Sequence, residues 1–185
     1  MIAGPNHIVL HDAMNIIDEP VPGIEWSPAP AVDNPSPELG ERIGRLLASQ
    51  PFAVLCTQGG GQAYGALVGF AYSPCLTALA FSTPITTRKY RLLEASSQIA
   101  LVVDSRSRHP DDMMQVEAVT VTGRAMRLAE DQARGEWASQ IGVRHPYLRH
   151  FLKAPTTAVF RVDVCRYFYV ARFQEVTQWV PGPTG

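Results

Sequence analysis

Apolar residues in this chain follow two periods, and the change from one to the other divides it. Between Ser36 and Ser49, Leu39, Ile43, Leu46 and Leu47 recur at helical spacing, which predicts an amphipathic helix with one buried face. Ser36 is placed as its N-cap, Pro37 as the first helical residue and Glu38 near the positive end of the dipole; Pro51 ends it. Beyond Pro51 the period shortens to that of strands. FAVLCTQ (52–58), the Gly59-Gly60-Gly61 turn and QAYGALVGFAYS (62–73) read as a β-hairpin. LTALAFST (76–83) supplies a third strand, a short helix runs from about Thr87 to Ser96, and QIALVVD (98–104) is a fourth strand. After a polar loop, SRSRHPDD (105–112), comes the longest strand, QVEAVTVTGRAMRL (115–128). Two helical pieces follow, AEDQARGEWASQI (129–141) and PYLRHFLK (146–153), and TAVFRVDVCRYFYVARF (157–173) closes the pattern with one or more strands.

Closely spaced strands joined by tight turns predict a largely antiparallel sheet, and a sheet of this length closes into a barrel to remove its edges. The fold class is therefore mainly β, a barrel with flanking helices. Gly59 to Gly61 is no dinucleotide fingerprint, because a strand and not a helix follows it. Seven of the 15 prolines lie within the first 37 residues, where no helical period develops. Residues 1–36 are expected to form an extended arm, with Ile8 to Leu10, Ile16, Ile17 and Trp26 lying along the body or a partner subunit, and residues 37–185 a single domain.

Composition narrows the partners. A hydrophobic share of 46% with 18% charged residues is that of an ordinary globular chain, and a net charge of -1 offers no basic field for nucleic acid. The first residues lack a cationic start and no apolar run is long enough to span a membrane, so the reading is a soluble, cytoplasmic protein. Cys56, Cys75 and Cys165 form no close pair and are read as reduced thiols, Cys56 and Cys165 as buried and inert. His109, His145 and His150 lack metal-ligand spacing and are read as solvated or partly buried imidazoles; Asp111-Asp112 reads as a solvent-facing turn, and no metal site is predicted.

The chemistry concentrates at one place. Arg88, Lys89 and Arg91 fall within four positions, and no Asp or Glu lies between Phe81 and Leu93. Such a cluster suits a solvated helix face. It equally suits a phosphate, because free N–H groups and the dipole at a helix start favour an anion and Thr86 and Thr87 add hydroxyls.

FST (81–83), TRK (87–89), a short helix, an apolar strand ending at Asp104 and VTVTG (119–123) together resemble the flavin-binding split barrel of the pyridoxamine 5'-phosphate oxidase-like superfamily. The resemblance spans roughly residues 38 to 128 and implies an antiparallel split β-barrel of the FMN-binding type. It implies that Arg88 and Lys89 take the FMN phosphate with Thr87 assisting. Ser82 and Thr83 would contact the ribityl chain or ring edge, with Phe81 of the same strand end also cofactor-binding, and the backbone of Gly65, Ala66, Leu67 and Val68 would line the isoalloxazine. A strand poor in bulky side chains, Ala63 to Ala66, suits such an approach. The oxidase's substrate residues are replaced: Glu117-Ala118 stands where its Arg-Gln pair would, and FQEVTQWVPGPTG lacks its C-terminal signature.

The implied function is a flavin-dependent oxidoreductase of a small organic substrate, in a homodimer with the cofactor at the subunit interface. The deazaflavin F420 or haem are alternative ligands, and a flavin-binding or sensing module without turnover is the non-enzymatic alternative. No residue declares itself catalytic. Tyr167, Phe168, Tyr169, Phe173 and Trp179 are read as barrel core and dimer contact, with Trp179 or Arg172 of one subunit alternatively covering the partner's flavin.

Overall fold

A computed structural model describes residues 36–129, 131–172 and 175–182. Residues 1–35, most of the expected arm, and Phe173 lie outside the described residues.

Helix α1 (Pro37–Ser49) buries the predicted face, Leu39, Ile43, Leu46 and Leu47. Ser36 stands at the N-cap, but its carbonyl receives Leu39 N–H at 2.9 Å and its side chain makes no cap bond. Strand β1 (Phe52–Gly59) and β2 (Gln62–Tyr72) pair from Gly59↔Gln62 to Phe52↔Gly69. The turn between them places Gly60 and Gly61 at φ of 59° and 76°, the left-handed pair that a two-residue hairpin needs and that glycine adopts without a Cβ clash. Strand β3 (Ala78–Pro84), α2 (Arg88–Ala95) and β4 (Gln98–Asp104) follow. The predicted long strand is shortened: Met113–Gln115 form a 3-10 turn held by the Asp112 side chain, and β5 is Ala118–Arg127. Helix α3 (Gln132–Arg144) starts after Asp131, whose carboxylate accepts from Arg134 N–H, and α4 is Arg149–Lys153. Strand β6 (Thr157–Ala171) and β7 (Glu175–Trp179) complete the chain.

All strand pairs are antiparallel, in the order β3-β2-β1-β4-β5-β6-β7, and β3 also pairs with β6. Six strands therefore close a barrel, and β7 extends it from β6. Fifteen residues let β6 serve two neighbours on one edge: Thr157 to Asp163 meet β3, and Tyr167 to Ala171 meet β7. Between the halves the β5–β6 register slips at Thr122/Gly123, leaving Cys165 as the extra residue of a bulge. A Cβ on Gly123 would stand 2.5 Å from the Asp163 carbonyl oxygen, so the bulge requires glycine.

Inside the barrel, Leu55, Phe70, Phe81, Leu101, Val121, Phe160 and Tyr167 pack with the apolar face of α1. Trp179 joins them: its ring lies 5.5 Å from that of Tyr167, and a Cβ on Gly40 would come within 2.8 Å of it. The ring is thus engaged by its own chain's α1. A second, smaller core forms outside, where Ile141 of α3 and Leu152 meet Ala71, Ala80 and Val159.

Two long-range contacts fix α3. Arg144 donates from Nη2 to the carbonyls of Leu47 and Gln50, the latter at 2.5 Å, and so caps the α1 C-terminus, which has no basic residue of its own. His145 is not solvated but 1% exposed, stacked on Phe52, with Nε2 3.0 Å from the Phe70 carbonyl and Nδ1 3.3 Å from the Tyr147 hydroxyl. A carbonyl only accepts, so Nε2 carries the proton and Nδ1 accepts. Cys56 and Cys165 are likewise only partly buried, because the apolar runs holding them have one face inside the barrel and one outside. No helix among the described residues is long and apolar enough to cross a membrane.

Replacing Gly123 by alanine forces overpacking against the β6 backbone and is expected to lower stability by about 1–3 kcal/mol in denaturant melts. Burial, with the nearby Arg144 charge, holds the His145 pKa below its ordinary 6.5. The unfolded chain then binds the extra proton first, so this contribution is complete above about pH 6.5 and is lost as pH falls through the depressed folded value. Melting temperature against pH is expected to fall more steeply on the acid side in the parent than in His145→Asn.

Candidate functional site

Strand β2 stays with β1 over Gln62–Gly69 but meets β3 only at Phe70, Ala71 and Tyr72. Strand β3 stays with β6 through Pro84. The two strands therefore diverge: residues 62–69 of β2 and Ser82 to Pro84 of β3 face an opening with no strand on that side among the described residues. Backbone donors and acceptors along such an edge are unmatched by any ladder.

Helix α2 stands at the mouth of this opening. A Cβ on Gly59 would meet Leu92 Cδ2 at 2.4 Å, so glycine there lets the helix seat on the β1–β2 hairpin. Thr87 is the N-cap: its hydroxyl accepts from Tyr90 N–H at 3.3 Å, donates to the Pro84 carbonyl at 2.9 Å and contacts Thr83 Oγ1 at 2.9 Å. These contacts make it a structural brace that sets the direction of the helix start.

The cations remain available. Arg88 is exposed and its guanidinium lies 5.3 Å from the Tyr64 ring centroid, on the adjoining β2 strand. No ion pair among the described residues engages Arg88, Lys89 or Arg91. Tyr90 in the same helix is held by Arg127, Nη1 to hydroxyl 2.7 Å, which ties α2 to the end of β5.

The other sequence-predicted residues separate by strand alternation. Gly65 and Leu67 point outward, Leu67 being 65% exposed, whereas Ala66 and Val68 point into the barrel. A Cβ on Gly65 would meet only Val54 at 3.7 Å, leaving the space beyond it open. Of the three predicted residues on β3 only Ser82 faces outward; Phe81 is fully buried and stacked on Phe160 at 5.6 Å, and Thr83 is fully buried. Tyr64 was not apparent as a partner of Arg88, since its role depends on how far α2 reaches over the hairpin.

Leu67 also begins a second feature. Across the sheet it registers with Val54, Val102, Thr120 and Phe168 in turn, and Gly65 with Cys56, Ala100 and Thr122. Leu67 is exposed, and Val54, Val102, Thr120 and Phe168 are half-buried, so this largely apolar outer face has no full cover among the described residues.

At the opposite ends of the strands, Glu117 has its own polar cluster. It accepts from the Tyr169 hydroxyl, which receives Arg42 Nη2 at 3.0 Å, and Arg42 lies 3.5 Å from the carboxylate. Burial and the Glu117 charge push the Tyr169 pKa up to about 12, so the phenol stays protonated and donates. Hydrogen bonds with the hydroxyls of Ser73 and Thr77 lower the Cys75 thiol pKa to about 7. Among the described residues no group of His, Cys, Asp or Glu has metal-binding geometry.

Residues 39–171 match the family model described as pyridoxamine 5'-phosphate oxidase. No curated protein matches the sequence. Among solved structures, a heme binding protein from Mycobacterium smegmatis is similar with a TM-score of 0.70 and 16% identity, over 81% of this chain and 60% of that one. HutZ, a heme storage protein from Vibrio cholerae, gives 0.61 and 15% over 78% and 95%. A FAD-binding protein from Mesorhizobium loti gives 0.57 and 15% over 70% and 91%. Likeness at these identities is likeness of fold, while the family match covers most of the chain: it belongs to the pyridoxamine 5'-phosphate oxidase-like split-barrel family.

Proposed function

We propose that the chain binds FMN in the opening between β2 and β3 and acts as a flavin-dependent oxidoreductase on a small organic substrate. The observation that carries this reading is the juxtaposition of a backbone edge with cations, neither of which has a strand or carboxylate partner among the described residues. A flavin mononucleotide has a ring edge rich in donors and acceptors at one end and a dianion at the other. The open β2 edge suits the first. The start of α2, with Arg88 and Lys89, suits the second.

Each residue then has a distinct duty. Arg88 and Lys89 hold the phosphate, Arg88 oriented by stacking on Tyr64. Thr87 and Thr83 fix the helix start and hold the donors in place. Gly65 keeps side chains off the strand edge, and the outward Ser82 hydroxyl is placed for the ribityl chain. FMN, when bound, supplies the hydride or single-electron chemistry. The protein's part is to orient it, match its ring edge and leave one face open to substrate.

The uncovered sheet face supports a homodimer. A contiguous apolar face of this kind marks an association surface, and Leu67 lies at its border with the opening, which would place the flavin against the partner subunit. Haem is favoured by the descriptions of two structural relatives, but it needs an axial ligand. His145 is committed to Phe70 and Tyr147, and His109 follows β4 at the barrel end away from α2. FMN therefore fits the opening better.

Arg88→Ala/Lys89→Ala is expected to weaken FMN binding at least about 100-fold by fluorescence titration with an unchanged circular dichroism spectrum. Unchanged affinity would remove the phosphate assignment. Bound flavin that no nicotinamide cofactor or dye oxidises or reduces would point instead to a non-enzymatic binding module. Leu67→Asp places a charge in the apolar face and is expected to shift sedimentation from dimer to monomer; an unchanged dimer would mean that association uses another surface.

A further inference from the structure

Three cavities adjoin on the side of the molecule where α3 packs. The first, about 460 Å³, opens beside Pro37 and is lined by Tyr72, Pro74 and Trp179. The second, about 510 Å³, shares Tyr72 and Pro74 with it and reaches Ser139, Val143 and Arg144 of α3. The third, about 560 Å³, shares Ser139 and Val143 with the second and ends between α3 and α4 at Arg134, Arg149 and Lys153. Their shared lining residues set them side by side, as a track that begins at the first residue of α1.

The character of the track changes along its length. Near Pro37 its walls are aromatic, and the lining's one carboxylate, Glu41, lies 3.8 Å from Arg45. Farther on every charged wall residue among the described residues is a cation, while the floor is made of small or apolar residues, Gly135, Ala138, Gly142 and Leu152. Gly135 has open space where a Cβ would stand, although glycine within a helix costs about 1 kcal/mol relative to alanine. Val143, about two turns farther along α3, is 71% exposed.

The sequence that precedes α1 has the matching order. Residues 1–35 contain Asp12, Asp18, Glu19, Glu25 and Asp33 and no Lys or Arg; all 16 Lys and Arg of the chain lie beyond them. Their prolines crowd toward α1, at positions 20, 22, 28, 30 and 35, whereas four of the five carboxylates lie at or before position 25, interleaved with Ile16, Ile17 and Ile24. A proline-rich stretch adopts an extended helix that docks on aromatic walls, and carboxylates flanked by apolar residues suit a cationic groove with an apolar floor.

We infer that residues 1–35 of the same chain occupy this track, prolines against Tyr72 and Trp179, carboxylates toward Arg149 and Lys153. Reach is not limiting: 35 extended residues span up to roughly 115 Å. The segment would cover Val143 and the α3–α4 groove and leave the β2–β3 opening free. The inference is independent of the flavin reading, since it concerns the other side of β2.

Hydrogen exchange by mass spectrometry on the full chain tests it. In the parent, peptides from residues 12–25 are expected to exchange at least about tenfold slower than their intrinsic rates. That protection should disappear in Arg149→Glu/Lys153→Glu while peptides from β1 to β6 are unchanged. Asp18→Lys/Glu19→Lys, which alters only the segment, should remove it as well. Intrinsic rates in the parent, or protection that survives both double variants, would overturn the inference. Protection that vanishes on dilution would overturn the same-chain occupant in favour of a second copy, and protection lost in Arg88→Ala/Lys89→Ala would place the segment at α2 instead.

Discussion

One geometric constraint governs the site: β3 cannot stay beside both β2 and β6 along its whole length. Closing the barrel requires β3 to follow β6 from Ala78 to Pro84, and β2 accompanies it for only three residues. Stranded backbone N–H and C=O groups need partners, and leaving one buried and unmatched costs about 1–3 kcal/mol. The split between the strands is thus a row of polar groups that water or a polar ring edge must satisfy. The β3–α2 connection leaves the barrel at this same point, which brings the positive end of the helix to the end of the row. Hydroxyls of Thr83 and Thr87 hold that connection, so the helix direction and the width of the opening are set together.

The same closure decides what lies outside. Helices α3 and α4 cover the outer face near β3 and the first half of β6, through Ala80 and Val159. Val54 and Cys56 of β1 and Ala100 and Val102 of β4 receive no such cover among the described residues, and all four are apolar or small. One strand surface thus joins the opening to a face suited to a second subunit, and a ligand bound at Leu67 and Gly65 would touch both.

Local chemistry was legible in the sequence, and long-range consequences were not. The face of α1, the glycine hairpin and the cation cluster at Arg88, Lys89 and Arg91 follow from spacing and turn residues. The barrel follows from strand order. By contrast, residue pairs far apart in sequence, such as Arg144 with the end of α1 or Tyr64 with Arg88, leave no local pattern. His145 looked like an unremarkable loop imidazole because its partners, Phe52 and the Phe70 carbonyl, lie about 75 or more positions away. Cys56 looked buried because a strand that is apolar on both faces reads as one covered on both faces. The motif FST does not itself separate faces, whereas alternation along β3 turns the side chains of Phe81 and Thr83 into the core and leaves Ser82 outside.

The central claim is that the α2 helix start anchors a phosphate while the β2 edge matches a ring. Isothermal titration of the full chain with riboflavin and with its 5'-phosphate, in the same buffer, separates the two contributions. Binding of the phosphate ester at least about 100-fold tighter than the free alcohol is the result this account predicts. Equal affinity for the two, or no binding of either, would contradict it.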